Sequence, residues 1–256
     1  MSFVHKVALV TGAAGAIGRA ICEELLKSGV KRLAAVDLHS DKPQIVTDWT
    51  NKYRETTIKY FPVDVTSLED LKQCYETFTE SSESLDIVVN SAGIFNENDY
   101  RKVVDVNLSG IIGSSLLAIE HMRLDNGRGK GGIVLNVASV AGLSPFSSVP
   151  IYSTTKHGVI AFTRSVAHRR ENLGVKLLTL CPGTTESRLL DRVSMPEYSF
   201  KLYQEPEIGG KTEYPPQNPS VVGKAAVKVM QEGKNGSVWI INSGKMYEKI
   251  LPQVKF

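Results

Sequence analysis

The chain has 256 residues, 42% hydrophobic and 22% charged, enough to bury a sizeable core and ordinary for a globular protein. Thirty basic residues against 27 acidic ones leave +3, with no basic run, so neither charge nor pattern suggests a nucleic-acid partner. The first residues lack a signal-peptide layout, no apolar run reaches the ~20 residues that span a bilayer, and Cys22, Cys74 and Cys181 lack metal-ligand spacing; a cytoplasmic, metal-free protein with free thiols is expected.

Val7–Thr11 (VALVT) reads as a buried strand, followed by the turn Thr11-Gly12-Ala13-Ala14-Gly15-Ala16-Ile17-Gly18 and a helix ending before Gly29. Glycines there let the backbone turn tightly and approach a pyrophosphate, which would sit on the positive end of the helix. Arg32–Asp37 reads as the second strand, and Asp37 lies 19 residues after Gly18. A carboxylate at that point accepts hydrogen bonds from an adenosine ribose and repels the extra phosphate of NADP. Leu38 follows where an arginine would favour that phosphate, and Gly15 adds no cation, so NAD is the expected cofactor. His39 reads as an exposed loop histidine.

Further along, helices are expected over 41–53, 67–80, 98–122, 150–173 and Pro219–Glu232, with strands over 58–62, 85–90, 132–138, 175–181 and 238–241. Alternation of apolar strands with amphipathic helices predicts an α/β fold: one Rossmann-type, doubly wound domain over 1–256, with a seven-stranded parallel sheet covered on both faces. Residues 1–92 would form most of the cofactor-binding half. Segment 184–217, rich in Pro, Tyr and Glu, is longer than most loops and reads as a lid or substrate-binding loop. Residues 242–256 read as a C-terminal tail.

Tyr152 and Lys156 stand four apart within the predicted helix 150–173, so phenol and ammonium share one face. A fixed positive charge favours phenolate, which would bring the tyrosine toward the range a general base needs. Ser139 can donate a hydrogen bond to a substrate oxygen as charge develops on it.

These features occur in the order TGAAGAIG at 11–18, Asp37, Asp64-Val65, Asn90-Ser91-Ala92-Gly93, Asn107, Ser139, Tyr152-x-x-x-Lys156 and Pro182-Gly183. That set resembles the short-chain dehydrogenase/reductase family over essentially the whole chain. The resemblance implies that Gly12, Gly15, Ala16, Ile17 and Gly18 cradle the pyrophosphate, and that Asp37 and Leu38 border the adenosine ribose. Asp64 would bind the adenine amine with Val65 packed beside it; Asn90, Ala92 and Gly93 would support the sheet and line the cofactor. It further implies that Asn107 holds a proton-relaying water, Ser139 orients the reacting oxygen and Tyr152 acts as acid/base. Lys156 would bind the nicotinamide ribose, while Pro182, Gly183, Thr185 and Ser187 border the nicotinamide. The sequence departs from the family pattern at Ala16 (usually Gly), Ser91 (usually Asn) and Ser187 (usually Thr), and none of these removes a catalytic group.

Within the family, stretches 127–133, 149–152 and 235–239 are similar to insect alcohol dehydrogenases, insect photoreceptor dehydrogenases and 15-hydroxyprostaglandin dehydrogenases. Val149 stands where the prostaglandin enzymes carry a glutamine, which argues against a prostaglandin substrate. Val140, Leu143, Pro145, Phe146 and Val149, with Leu189, Leu190, Met195, Tyr198 and Phe200, would line an apolar pocket suited to a hydrophobic alcohol. The expected activity is NAD-dependent oxidation of such an alcohol, short secondary, isoprenoid, retinoid or steroid. An NADPH-linked carbonyl reductase and a catalytically silent binding or storage protein are the alternatives. The resemblance also implies a homodimer, or else a tetramer, through helices 98–122 and 150–173. Ile250, Leu251, Val254 and Phe256 of the tail would cap the pocket or reach a neighbouring subunit.

Overall fold

Aliphatic, largely β-branched runs form the central strands, because only a strand buried on both faces accommodates apolar side chains on both sides of its pleat. In the computed structural model, which describes residues 2–79, 84–127, 129–169, 173–193, 195–198 and 215–252, these runs build one sheet. The first half runs β1 (Val7–Thr11), α1 (Ala16–Lys27), β2 (Arg32–Asp37), α2 (Gln44–Lys52), β3 (Thr57–Pro62), α3 (Leu68–Thr79) and β4 (Ile87–Asn90). The chain continues through α4 (Tyr100–Val104), a π-helical turn (Asp105–Gly110), α5 (Ile111–Met122), β5 (Gly132–Val137), α6 (Pro150–Arg169) and β6 (Val175–Pro182). It ends with α7 (Arg188–Val193), α8 (Pro219–Glu232), β7 (Val238–Asn242) and β8 (Lys245–Glu248).

The strand order is β3-β2-β1-β4-β5-β6-β7-β8, with β1 to β7 parallel. The sheet therefore reverses direction of growth at β1 and β4, which opens a crevice at their carboxyl ends. Register brings Thr11 beside both Val36 and Asn90, and Asn90 beside Asn136, so the ends of four strands reach that crevice together. One face is covered by α1 and α8 through Ile21, Leu25, Val222 and Val229, the other by α3 and α5 through Leu71, Tyr75, Phe78 and Ala118.

The seven parallel strands form as expected, and one strand is added to them. An eighth strand, β8, lies antiparallel to β7 in what reads from sequence as the tail. The cause is local: Ser243 and Gly244 both take positive φ, 49° and 74°, the two-residue hairpin geometry that folds the chain straight back. The helix expected over 98–122 is broken in its hydrogen-bonding pattern by the π-helical turn, which inserts Asn107 into the interior. Among the described residues one helix, Tyr100–Met122, is long and apolar enough to cross a membrane, and half of its apolar window is buried in this fold. Helix 41–53 starts three residues late, after Pro43, whose preceding residue is disfavoured from the helical region. Glu80 and residues 170–172 of the other expected helices lie outside the described residues.

A buried polar chain crosses the sheet just below the crevice. The Asn90 amide nitrogen donates to Ser115 Oγ (3.0 Å) and Asn136 Oδ1 (2.8 Å), and Asn90 Oδ1 accepts from Ser114 Oγ (2.6 Å). Asn136 Nδ2 donates to Thr163 Oγ1 (2.9 Å), and the Tyr75 hydroxyl meets Ser114 Oγ at 2.8 Å. Five elements, α3, α5, α6, β4 and β5, are tied by side chains that water does not reach. Truncating its centre leaves several buried groups unpaired. Asn90→Ala is expected to destabilise the fold by about 2–4 kcal/mol and Tyr75→Phe by about 1 kcal/mol. Urea unfolding of the two variants beside the wild type measures both.

Candidate active site

The Gly-rich turn after β1 is held closed at two glycines. Gly12 has φ +66°, and a Cβ there would lie 2.7 Å from Ala92 N; a Cβ on Gly18 would lie 2.1 Å from Gly12 O. The first α1 hydrogen bond runs from Arg19 N to Gly15 O (2.8 Å), so the N–H groups of Ala16, Ile17 and Gly18 have no helical partner. Gly15 provides no side-chain cap, and no acidic residue stands in the first turn of α1. A pyrophosphate fits this cradle on steric and electrostatic grounds.

Asp37 ends β2 and is engaged with the turn: Oδ2 accepts from Ala14 N and Oδ1 from Leu38 N, each at 2.9 Å. Leu38 beyond it is exposed. A cleft of about 320 Å³ adjoins it, lined by Ala14, His39, Ser40, Asp41, Lys42 and Pro43. Asp64 closes a short turn by accepting from the N–H and hydroxyl of Thr66 (2.9 and 2.8 Å). Val65 packs with the α3–α5 side of the core.

At the other end of the crevice Ser139, Tyr152 and Lys156 converge. Ser139 follows β5, with its Oγ accepting from Ala141 N at 3.1 Å, and its hydroxyl faces the Tyr152 phenol. Lys156 Nζ is buried, donates to Val137 O (3.1 Å) and lies 5.5 Å from the Tyr152 ring centroid. Burial pushes the Tyr152 phenol up to about 12, although the Ser139 hydrogen bond pulls it down. Burial likewise pushes Lys156 down to about 8. The expected lowering of the phenol by the ammonium is not found; loss of water dominates the phenol. Cys181 lies against the same groups, its thiol pushed up to about 12 by burial and so kept neutral.

Asn107 Oδ1 accepts from Ile94 N (2.8 Å) and its Nδ2 donates to Ile94 O (2.9 Å), so the amide pairs with that backbone as a neighbouring strand would. A side chain at Gly93 would reach Asn107 Oδ1 at 3.5 Å and Lys156 Nζ at 3.6 Å, so both groups border the space beside Gly93. Asn90 is fully buried and its amide is consumed by the polar chain described above, so its side chain acts inside the sheet, not in the crevice. Gly183, after Pro182, packs against Asn242, where a Cβ would meet Oδ1 at 2.0 Å. The Thr185 hydroxyl donates to Gly183 O (2.8 Å), and Ser187 Oγ donates to Thr185 O and accepts from Leu190 N, capping α7. Both hydroxyls already shape this turn.

The apolar residues expected to line a pocket divide. Val140 and Leu143 pack, with Leu251 of the tail, onto a cluster containing Ala138, Ile160 and Cys181 beneath the Ser139–Lys156 site. Val149 is buried, Leu189, Leu190 and Tyr198 are half-buried, and Pro145, Phe146 and Met195 are exposed. Tyr198 carries the Arg192 guanidinium 5.2 Å from its ring. Phe200, Val254 and Phe256, with half of 184–217, lie outside the described residues.

Two residues that the sequence did not single out also touch the site. Phe95 packs edge-on to Tyr152, with ring centroids 5.9 Å apart, and the buried Glu97 accepts from the N–H groups of Ile151 and Tyr152. Nothing in the local pattern Asn96-Glu97-Asn98-Asp99 distinguishes it from a solvated loop; only the fold closes it onto α6.

A family model described as short chain dehydrogenase matches residues 6–197. The chain belongs to the short-chain dehydrogenase family. Among its relatives, alcohol dehydrogenase 1 of Ceratitis cosyra is 33% identical over 99% of this chain and 98% of its own length. The 15-hydroxyprostaglandin dehydrogenase of Bos taurus, whose name specifies NAD(+), is 34% identical over 94% of this chain and 92% of its own. A solved structure titled "ElxO with NADP Bound" superposes with a TM-score of 0.77 at 24% identity, covering 94% of this chain and 98% of that one, a likeness of fold. The family's Gly-rich turn gives a direct test here. Gly12→Ala combines a left-handed backbone with a Cβ driven into Ala92, and is expected to weaken binding of a reduced nicotinamide dinucleotide at least ~10-fold, as read by fluorescence titration.

Proposed function

We propose that the protein oxidises the hydroxyl of a hydrophobic alcohol to a carbonyl with NAD. The observation that carries this is the convergence of Ser139, Tyr152 and Lys156 at the mouth of a crevice whose far end is a phosphate cradle. A nicotinamide dinucleotide, when bound, supplies the hydride acceptor.

The cradle at Gly12–Gly18 would hold the pyrophosphate and Asp37 the adenosine ribose, with Asp64 and Val65 flanking the adenine. Pro182, Gly183, Thr185 and Ser187 would border the nicotinamide. Ser139 donates to the substrate oxygen, and Tyr152 removes the hydroxyl proton. Lys156, buried beside the phenol, favours its ionised form, and Asn107 lies on the route by which the proton leaves. The buried pair sheds its first proton as a unit, whichever group yields it. Because burial lowers Lys156 to about 8, kcat/KM for oxidation is expected to rise as pH increases through about 8. A pH–rate profile checks this.

NAD is favoured over NADP by the carboxylate of Asp37 and the lack of a cation at Gly15 and Leu38, and the named cofactor of the bovine relative supports it. A second reading, an NADPH-linked carbonyl reductase, draws on His39 and Lys42 in the cleft beside Asp37. Titration with NADH and NADPH separates the two: a preference of roughly tenfold or more for NADH is expected, and tighter NADPH binding would favour the reductase.

The substrate class rests on Val140, Leu143 and Val149 beside the site. We further infer a cytoplasmic homodimer, supported by three buried free cysteines and by Leu116 and Tyr100 left exposed on the long helix. NADH formation should be followed with short secondary alcohols, farnesol, retinol, a steroid alcohol and a prostaglandin, beside Tyr152→Phe. Turnover that falls at least ~100-fold in the variant is the expected result. Equal turnover by both proteins would end this assignment.

A further inference from the structure

A helix begins with backbone N–H groups that its own carbonyls cannot reach, and each needs a partner if the start is buried. In α6 these can be counted. Val149 N donates to Phe146 O (3.1 Å), Pro150 has no N–H, and Ser153 N makes the first helical bond, to Val149 O (2.8 Å). The two donors between, Ile151 N and Tyr152 N, both go to one carboxylate from another part of the chain: Glu97 Oε2 and Oε1, each at 2.8 Å. Glu97 is 3% exposed. Burial raises its pKa, and the two N–H bonds lower it. A carboxylate placed there is costly unless those bonds and the positive end of the helix hold it ionised.

The same turn reaches in two other directions. Phe95 lies edge-on to the Tyr152 ring, so the tyrosine is gripped at its ring by residue 95 and at its backbone by residue 97. Glu97 N donates to Tyr198 O and Asn98 Nδ2 to Glu197 O, both at 2.8 Å. Residues 95–98 thus bridge the first turn of α6 and the segment that follows α7.

The geometry points to Glu97 as a positioning residue for Tyr152, whose carboxylate fixes the first turn of α6 and couples it to the seating of segment 195–198. This rests on Tyr152 being the acid/base. Glu97 touches no reacting atom; it acts through the place and direction of the phenol. A shift of about 1 Å in a proton-transferring group costs on the order of 100-fold in rate.

The test compares wild type with Glu97→Gln, Glu97→Asp, Glu97→Ala and Tyr152→Phe. Glutamine keeps the shape but turns an amide toward one of the two donors, whereas aspartate keeps both acceptors one methylene short. Two measurements are made on each: steady-state oxidation of propan-2-ol and farnesol with NAD, and hydrogen exchange by mass spectrometry with NADH affinity alongside. The expected result is kcat in the order wild type, Asp, Gln, Ala, with Gln down at least tenfold, KM within threefold and NADH affinity unchanged. Exchange in Glu97→Gln should rise in 150–156 and 195–198 together, while β1 and α1 stay protected. Wild-type kcat in Gln and Ala beside an inactive Tyr152→Phe would overturn the inference, as would unchanged exchange at 150–156. So would losses that appear only with a matching loss of NADH affinity, which mark general destabilisation. Glu97→Gln decides if Glu97→Ala fails to fold. An inactive wild type or an active Tyr152→Phe counts against the proposed function instead, and the exchange measurement, which needs no substrate, still decides whether Glu97 couples the two segments.

Discussion

The site depends on one buried constraint: the asparagine pair at the ends of β4 and β5. Asn90 and Asn136 sit side by side in register, and their amides leave each other no freedom to slide. In a sheet otherwise held by apolar packing, a shift of one residue would exchange every face. Here such a shift would also strand buried amides and hydroxyls without partners. The network therefore sets where Ser91, Ala92 and Gly93 leave one strand and where Ser139 leaves the next. Through Thr163 it sets the height of α6, which carries Tyr152 and Lys156.

Above that floor, the groups at the two ends of the crevice obey different electrostatics. At the Gly12–Gly18 end there is little side chain at all; free N–H groups and the helix direction make a positive site, with no side-chain cap and no acidic residue in the first turn of α1. At the Ser139–Lys156 end, burial dominates and moves phenol and ammonium in opposite directions, each toward its neutral form. The two shifts move the groups apart, so the ammonium yields its proton well before the phenol does. The neutral thiol of Cys181 adds no competing charge at neutral pH.

How much of this could be read in advance differs from feature to feature. The Gly-rich turn, Asp37 and the Tyr152–Lys156 spacing are local patterns, and local patterns survive in sequence. The antiparallel β8 was also written locally, in Ser243-Gly244, but lay within a region read as a C-terminal tail. Other features had no local mark. Asn107 looks like any helical asparagine until a π-helical turn inserts it toward Ile94. Ser187 and Thr185 read as bordering the cofactor, and the structure adds that their hydroxyls hold together the turn that contains them.

Residue type at short spacing was enough to reveal the alternating strand–helix architecture, the Gly-rich turn and the Tyr152–Lys156 pair. Tertiary structure alone decided what surrounds that pair: which side chains exclude water from Lys156, which amides lock β4 to β5, and that Glu97 closes the first turn of α6. The physical reason is distance along the chain. Glu97 and Tyr152 are separated by 55 residues and Asn90 and Asn136 by 46, so neither pair leaves any period or motif. Burial, which shifts both the phenol and the ammonium, is a property of the assembled core and belongs to no segment of it.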